Sequence, residues 1–160
     1  MSSIPMPLQP NADVVASYPL IARLFSGHGY ARLEAGDIDA FVAAPGHSVL
    51  VFLEDPMRIK ETLDLAVIAP ELARAFPGRF RVGVLVPEAS RQAQTRFGFH
   101  RWPALVILKD GRYVGAIDGL REWDVYREQL EKLLAAEPTR APTVGIAVRS
   151  ADERSGGCAA

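Results

Sequence analysis

The apolar positions of this chain fall into two patterns that alternate along it. Unbroken apolar runs of strand length, Ser48 to Leu53 and Ala104 to Leu108, read as strands covered on both faces. Phe80, Val82, Val84 and Val86 alternate with Arg79, Arg81, Gly83 and Leu85, which is strand periodicity. Between these runs the apolar residues recur at helical spacing. Leu20, Ile21, Leu24 and Phe25 predict a short helix opened by Pro19 and ended by Gly27 and Gly29. Leu65, Ile68, Leu72 and Phe76 mark one face of a longer helix. Pro70 lies inside it, where the missing N–H predicts a kink, and Pro77-Gly78 ends it. Ala89, Ala93 and Phe97 mark another, stopped by Gly98. Trp123, Tyr126, Leu130, Leu133 and Leu134 define a last amphipathic helix from about Glu122 to Ala136, with Glu128 and Lys132 paired on its outer face.

Shorter signals complete the order. Tyr30 to Ala35 reads as an edge strand, and Asp37 as the cap of a helix over Ile38 to Ala44, with Phe41 and Val42 inward and Pro45-Gly46 as the stop. Asp110-Gly111 is a two-residue hairpin signal, and Arg112 to Ile117 returns as the next strand. The predicted order is β-α-β-α-β-α-β-β-α after one leading helix. That is an α/β sandwich of three layers on a mixed sheet. Its crossover strands are parallel and its C-terminal hairpin antiparallel. Pro103 stands just before a central strand and has no N–H for the ladder, so Trp102-Pro103 is a candidate cis bond.

Composition narrows the class. At 160 residues one domain is expected, over residues 13–136. Residues 1–12 carry three prolines and read as a flexible arm. Residues 137–160 collect Pro, Thr, Ser and Gly and read as a disordered tail, with Val144 to Val148 as an isolated docking segment. A net charge of −1 gives no signal for nucleic acid or a membrane surface. No apolar run is long enough to span a bilayer, and Met1 to Pro10 lacks the pattern of a secretion signal, so a cytoplasmic location is expected.

Candidate chemistry is sparse. The single cysteine, Cys158, lies in a small-residue segment with nothing to hold a thiolate. His28, His47 and His100 have no ligand spacing, so no metal is expected, and no glycine-rich phosphate loop or other cofactor signature occurs.

The Trp102-Pro103 loop, the strand after it and the hairpin resemble the cis-proline half of the thioredoxin fold. In redox thioredoxins a Cys-x-x-Cys follows the central strand, where the helix N-terminus lowers a thiol pKa. Here that loop is Glu54 to Glu61 and contains no cysteine, so dithiol exchange is excluded. What remains is a surface: Glu54, Asp55 and Glu61 as acids, Met57, Ile59 and Trp102 as apolar groups, and backbone beside Pro103 for strand-like pairing with a peptide. The plainer alternative makes the acids a solvated loop and Trp102 a core residue.

The motifs Leu53-Glu54-Asp55-Pro56-Met57-Arg58, Phe76-Pro77-Gly78, Arg96-Phe97-Gly98-Phe99-His100-Arg101-Trp102-Pro103-Ala104, Gly111-Arg112-Tyr113 and Gly119-Leu120-Arg121-Glu122-Trp123 together resemble the HupG/HyaE hydrogenase expression proteins, also called HoxO. The resemblance runs from about Gly27 to Ala136. It implies a thioredoxin fold without redox cysteines and no catalytic residues. It also implies a chaperone in maturation of membrane-bound nickel–iron uptake hydrogenases. The partner implied is the small-subunit precursor with its twin-arginine signal peptide, along with other hydrogenase assembly proteins. Glu54, Asp55, Met57, Ile59, Glu61, Arg101, Trp102 and Pro103 are then the expected partner-binding residues, with carboxylates facing the two guanidinium groups. The alternative function is a structural thioredoxin-like subunit of a larger assembly complex, and a thioredoxin-type enzyme would have only Cys158 as nucleophile.

Overall fold

The computed structural model describes residues 13–142. The expected arm over residues 1–12, the Val144 to Val148 segment and Cys158 lie outside the described residues. The elements are α1 (Val14–Ser17), α2 (Pro19–Ser26), β1 (Ala31–Leu33), a 3₁₀ turn (Ala35–Asp37), α3 (Ile38–Val42), β2 (His47–Phe52), α4 (Glu61–Ala75), β3 (Phe80–Leu85), α5 (Pro87–Phe97), β4 (Ala104–Lys109), β5 (Arg112–Asp118) and α6 (Trp123–Ala135).

The strands form one sheet in the order β1-β3-β2-β4-β5. β3 runs parallel to both β1 and β2, while β4 is antiparallel to β2 and to β5. The unbroken apolar runs follow from burial on both faces. Val49, Val51 and Leu53 meet Leu65, Leu72 and Leu130 on the side of α2, α4 and α6. Leu50 and Phe52 meet Ile38, Ala89 and Phe97 on the side of α3 and α5. The Trp102–Pro103 peptide is cis. With the two crossovers and the terminal hairpin, this is the thioredoxin-like arrangement that the element order predicts.

Local chemistry accounts for the boundaries. Asp110 and Gly111 both take positive φ, 51° and 79°, as the tight hairpin turn requires. Gly98 ends α5 in the left-handed conformation, with its N–H on the Gln94 carbonyl. α5 begins at Pro87 rather than Ala89, because proline suits a first helical position. Pro70 is accommodated inside α4 and is buried there.

Several expectations change. The first strand is three residues long, because a turn starts at Glu34. Asp37 does not cap α3; its carboxylate accepts the Glu34 N–H at 2.9 Å and closes that turn instead. Trp123 is not in the core: it opens α6 beyond the end of β5 and stays 38% exposed. The chain after α6 does not leave the body at Glu137. The Thr139 N–H donates to the Tyr113 carbonyl at 2.7 Å on the outer edge of β5, and Pro142 reaches Gly98 so closely that no Cβ would fit there. An edge strand has spare carbonyls, and residues 137–142 use one of them.

Candidate functional site

Register brings four loops to one end of the sheet. Phe52 pairs with Leu85 of β3 and Ala104 of β4, and Ala104 pairs with Asp118 of β5. The residues after β2, after β3, before β4 and after β5 therefore share that end.

The loop after β2 is built by Asp55 and Pro56, a pair suited to opening a turn. The Asp55 carboxylate accepts the Met57 N–H at 2.9 Å, and its carbonyl accepts the Arg58 and Ile59 N–H groups at 2.9 and 2.8 Å. This tight turn puts Pro56 inside and leaves Met57 67% exposed. Asp55, Ile59 and Glu61 are half-buried, and Glu61 opens α4.

Glu54 behaves differently from the surface acid expected of it. Its side chain is 6% exposed and takes a two-point ion pair from Arg91 on α5, with Nε donating to Oε2 at 3.0 Å and Nη2 donating to Oε1. The Asp55 N–H donates to the same Oε1 at 2.7 Å. Burial pushes the Glu54 carboxyl up, but the Arg91 hydrogen bonds, the Asp55 N–H and the charges of Arg91 and Arg58 outweigh it, so the group lies below its ordinary value. Glu54 is therefore an internal strut between β2 and α5, with its oxygens already engaged.

The cis-proline loop is held from β5. The Asp118 carboxylate accepts the His100 and Arg101 N–H groups at 3.0 and 3.1 Å, and the Gly119 N–H donates to the Pro103 carbonyl at 2.8 Å. Phe99 packs edge-on against Phe52, and Trp102 edge-on against Phe99, with centroids 4.9 and 5.0 Å apart. Trp102 is thus half-buried: one side is anchored to the core and the other open. Arg101 is exposed and its stem lies along Gly119, whereas Pro103 is buried and serves the packing.

Of the expected residues, the structure brings Asp55, Met57, Ile59, Glu61, Arg101 and Trp102 to this end with surface to offer, and turns Glu54 and Pro103 inward. Sequence reasoning missed Leu120 and Trp123, each 38% exposed after β5 at the same end. They add exposed apolar side chains to the same end of the sheet as Met57. Their signal was the run Gly119 to Trp123, whose tryptophan fits a helical apolar stripe equally well. Arg91 and Asp118, the residues that hold the two loops, were also missed.

Chemically, this end offers apolar contact, free carboxylate oxygen and backbone, with no thiol and no histidine–nucleophile pair among its residues. Among the described residues no cluster of three or more potential metal ligands occurs, and no helix is long and apolar enough to cross a membrane.

Residues 20–126 match the family described as Hydrogenase-1 expression protein HyaE. The chain is similar to the hydrogenase expression/formation protein HoxO of Cupriavidus necator, at 41% identity over 144 residues, covering 89% of this chain and 88% of that one. It is similar to HoxO of Azotobacter vinelandii at 38% identity, covering 81% of this chain and 86% of that one. It is also similar to HupG of Rhodobacter capsulatus, at 34% identity over 76% of this chain and 88% of the relative. Matches of this extent span the sheet, both proline loops and the helices that hold them, and so the chain belongs to the HyaE family of hydrogenase expression proteins.

Proposed function

We propose that this chain is a non-catalytic chaperone in hydrogenase maturation. It binds the small-subunit precursor of a membrane-bound nickel–iron hydrogenase in the cytoplasm, through the twin-arginine signal peptide, before export. The family and its relatives, named for hydrogenase expression and formation, support the pathway. One observation carries the binding mode: Met57, Trp102, Leu120 and Trp123 keep exposed apolar surface at the sheet end where redox thioredoxins hold their dithiol. Asp55 and Glu61 stand at the same end, each half-buried and so partly open to solvent.

A twin-arginine signal presents two guanidinium groups and then an apolar segment. Carboxylates take guanidinium forks in two-point geometry, and methionine and tryptophan accept varied apolar side chains. Glu54 is left out of this role because Arg91 already occupies it.

The test is titration calorimetry with a synthetic signal peptide from the cognate small subunit and with its Lys-Lys version. The expected result is saturable binding that weakens about tenfold with Lys-Lys, as loss of two-point pairing of about 1.4 kcal/mol would produce. The triple variant Asp55→Asn, Glu61→Gln, Trp102→Ala should lose most of the affinity. Equal binding of both peptides moves recognition to apolar contacts alone. No binding of either refutes signal-peptide recognition and favours recognition of the folded subunit or the structural-subunit reading.

A further inference from the structure

Away from the sheet end described above, α2 and α4 enclose a cleft of about 110 Å³. Glu71, on its wall, lies roughly 15 Å along α4 from Glu61, at about 1.5 Å per residue. Leu20, Ala66 and Pro70 contribute apolar walls. Three basic side chains converge on it from three segments: Arg23 from the last turn of α2, His28 from the turn before β1, and Arg74 from the last turn of α4. The His28 ring stacks on Tyr30, with centroids 5.6 Å apart and planes 19° apart. Burial raises the Tyr30 hydroxyl, and the Arg74 charge acts against that rise.

The charge of this cleft is unbalanced. Glu71 is its one carboxylate, and the Arg74 Nη1 already donates to it at 3.0 Å. Among the described residues neither Arg23 nor His28 forms an ion pair with a carboxylate. Val67 of α4 lines the same cleft and is 50% exposed, an aliphatic group facing water. The volume is far below the roughly 300–1,000 Å³ of small-molecule sites, so it holds one side chain rather than a nucleotide or cofactor. Guanidinium groups pair with carboxylates in fixed forks, and Val67 favours an apolar neighbour on the same ligand.

We propose that this cleft is a docking point for a second polypeptide, which inserts one Asp or Glu side chain between Arg23 and Arg74 and lays an adjacent aliphatic side chain on Val67. This point is separate from the surface of Met57 and Trp102, so both can be occupied at once. The chain then acts as an adaptor that holds one partner at each place. The adaptor role rests on the proposed function at the sheet end, whereas the docking point itself does not.

The experiment is an amide-resolved NMR titration of the full chain with acetyl-Leu-Glu-Leu-amide, acetyl-Leu-Gln-Leu-amide and inorganic phosphate, each to millimolar concentration. The glutamate peptide should shift the amides of Arg23, Val67 and Arg74 saturably. The glutamine peptide should bind about fivefold more weakly, the factor for roughly 1 kcal/mol of an exposed ion pair. The double variant Arg23→Gln, Arg74→Gln should lose those shifts while its melting temperature stays within the range of ordinary surface changes. Equal shifts from both peptides, or none from either, overturn the proposal. Phosphate matching the glutamate peptide in saturation and residues shifted also overturns it, in favour of a free-anion site.

Discussion

Replacing Arg91 by alanine isolates the ion pair that ties β2 to α5. Removing one partner of a fully buried pair costs about 3–5 kcal/mol, because the remaining charge is stranded away from water. Exposed pairs are worth under about 1 kcal/mol. Glu54 is 6% exposed and Arg91 44%, so this pair stands between those limits. Water can replace part of Arg91, and the Asp55 N–H still holds Oε1 at 2.7 Å. The expected cost is therefore about 2 kcal/mol at pH 7. Placing leucine at both positions should cost less than either single change, because no charge is left unpaired.

The pH dependence has a definite sign. The folded Glu54 carboxyl lies below its ordinary value, so the pair contributes stability above the unfolded glutamate value of about 4.3 and loses it as pH falls through the lowered folded value. The Arg91→Ala penalty should accordingly be full at pH 7 and shrink in acid below about pH 4. Urea unfolding with a shared slope measures both quantities. A penalty under about 0.5 kcal/mol at pH 7, the range of ordinary surface substitutions, would refute the strut. A penalty that does not change between pH 7 and acid would refute the electrostatic account of it.

Two further outcomes follow from the geometry. Ser90→Ala should cost about 1 kcal/mol in the same urea assay, because the Ser90 hydroxyl donates to the Leu85 carbonyl at 2.8 Å and accepts the Leu53 N–H at 3.1 Å. The loss stays near that value since the Leu53 N–H keeps the Leu85 carbonyl as a second acceptor, also at 3.1 Å. Asp118→Ala should weaken signal-peptide binding by calorimetry, although Asp118 belongs to the loop's support, because the His100 and Arg101 N–H groups lose the carboxylate that holds them. Asp118→Asn, which keeps an accepting oxygen, should restore most of the affinity. An unchanged affinity in Asp118→Ala would show that the loop is held without it.

The sequence alone determined the central strands, the main helices and the class of fold. A strand buried on both faces has no polar alternation to show, so Ser48 to Leu53 and Ala104 to Leu108 could be read as central strands before any pairing was known. The Asp110-Gly111 turn and the stop at Gly98 were equally legible, because positive φ is a demand on one residue and its neighbours. So was the exclusion of dithiol exchange, which needs only a count of cysteines.

Tertiary structure decided whatever depends on a partner distant in the chain. Glu54 and Asp55 are adjacent acids in one charged loop, and nothing local separates them. The side chain of Arg91, 37 residues on, draws Glu54 inside, while Asp55 turns back to hold its own loop and keeps exposed surface. Trp123 and Leu130 share one helical stripe, yet Trp123, at the start of α6, stays 38% exposed while Leu130 is buried in the core. The run of residues 137–142 along β5 was hidden for the same reason. Periodicity records how one segment repeats, whereas a hydrogen bond from Thr139 to Tyr113 records where two segments meet.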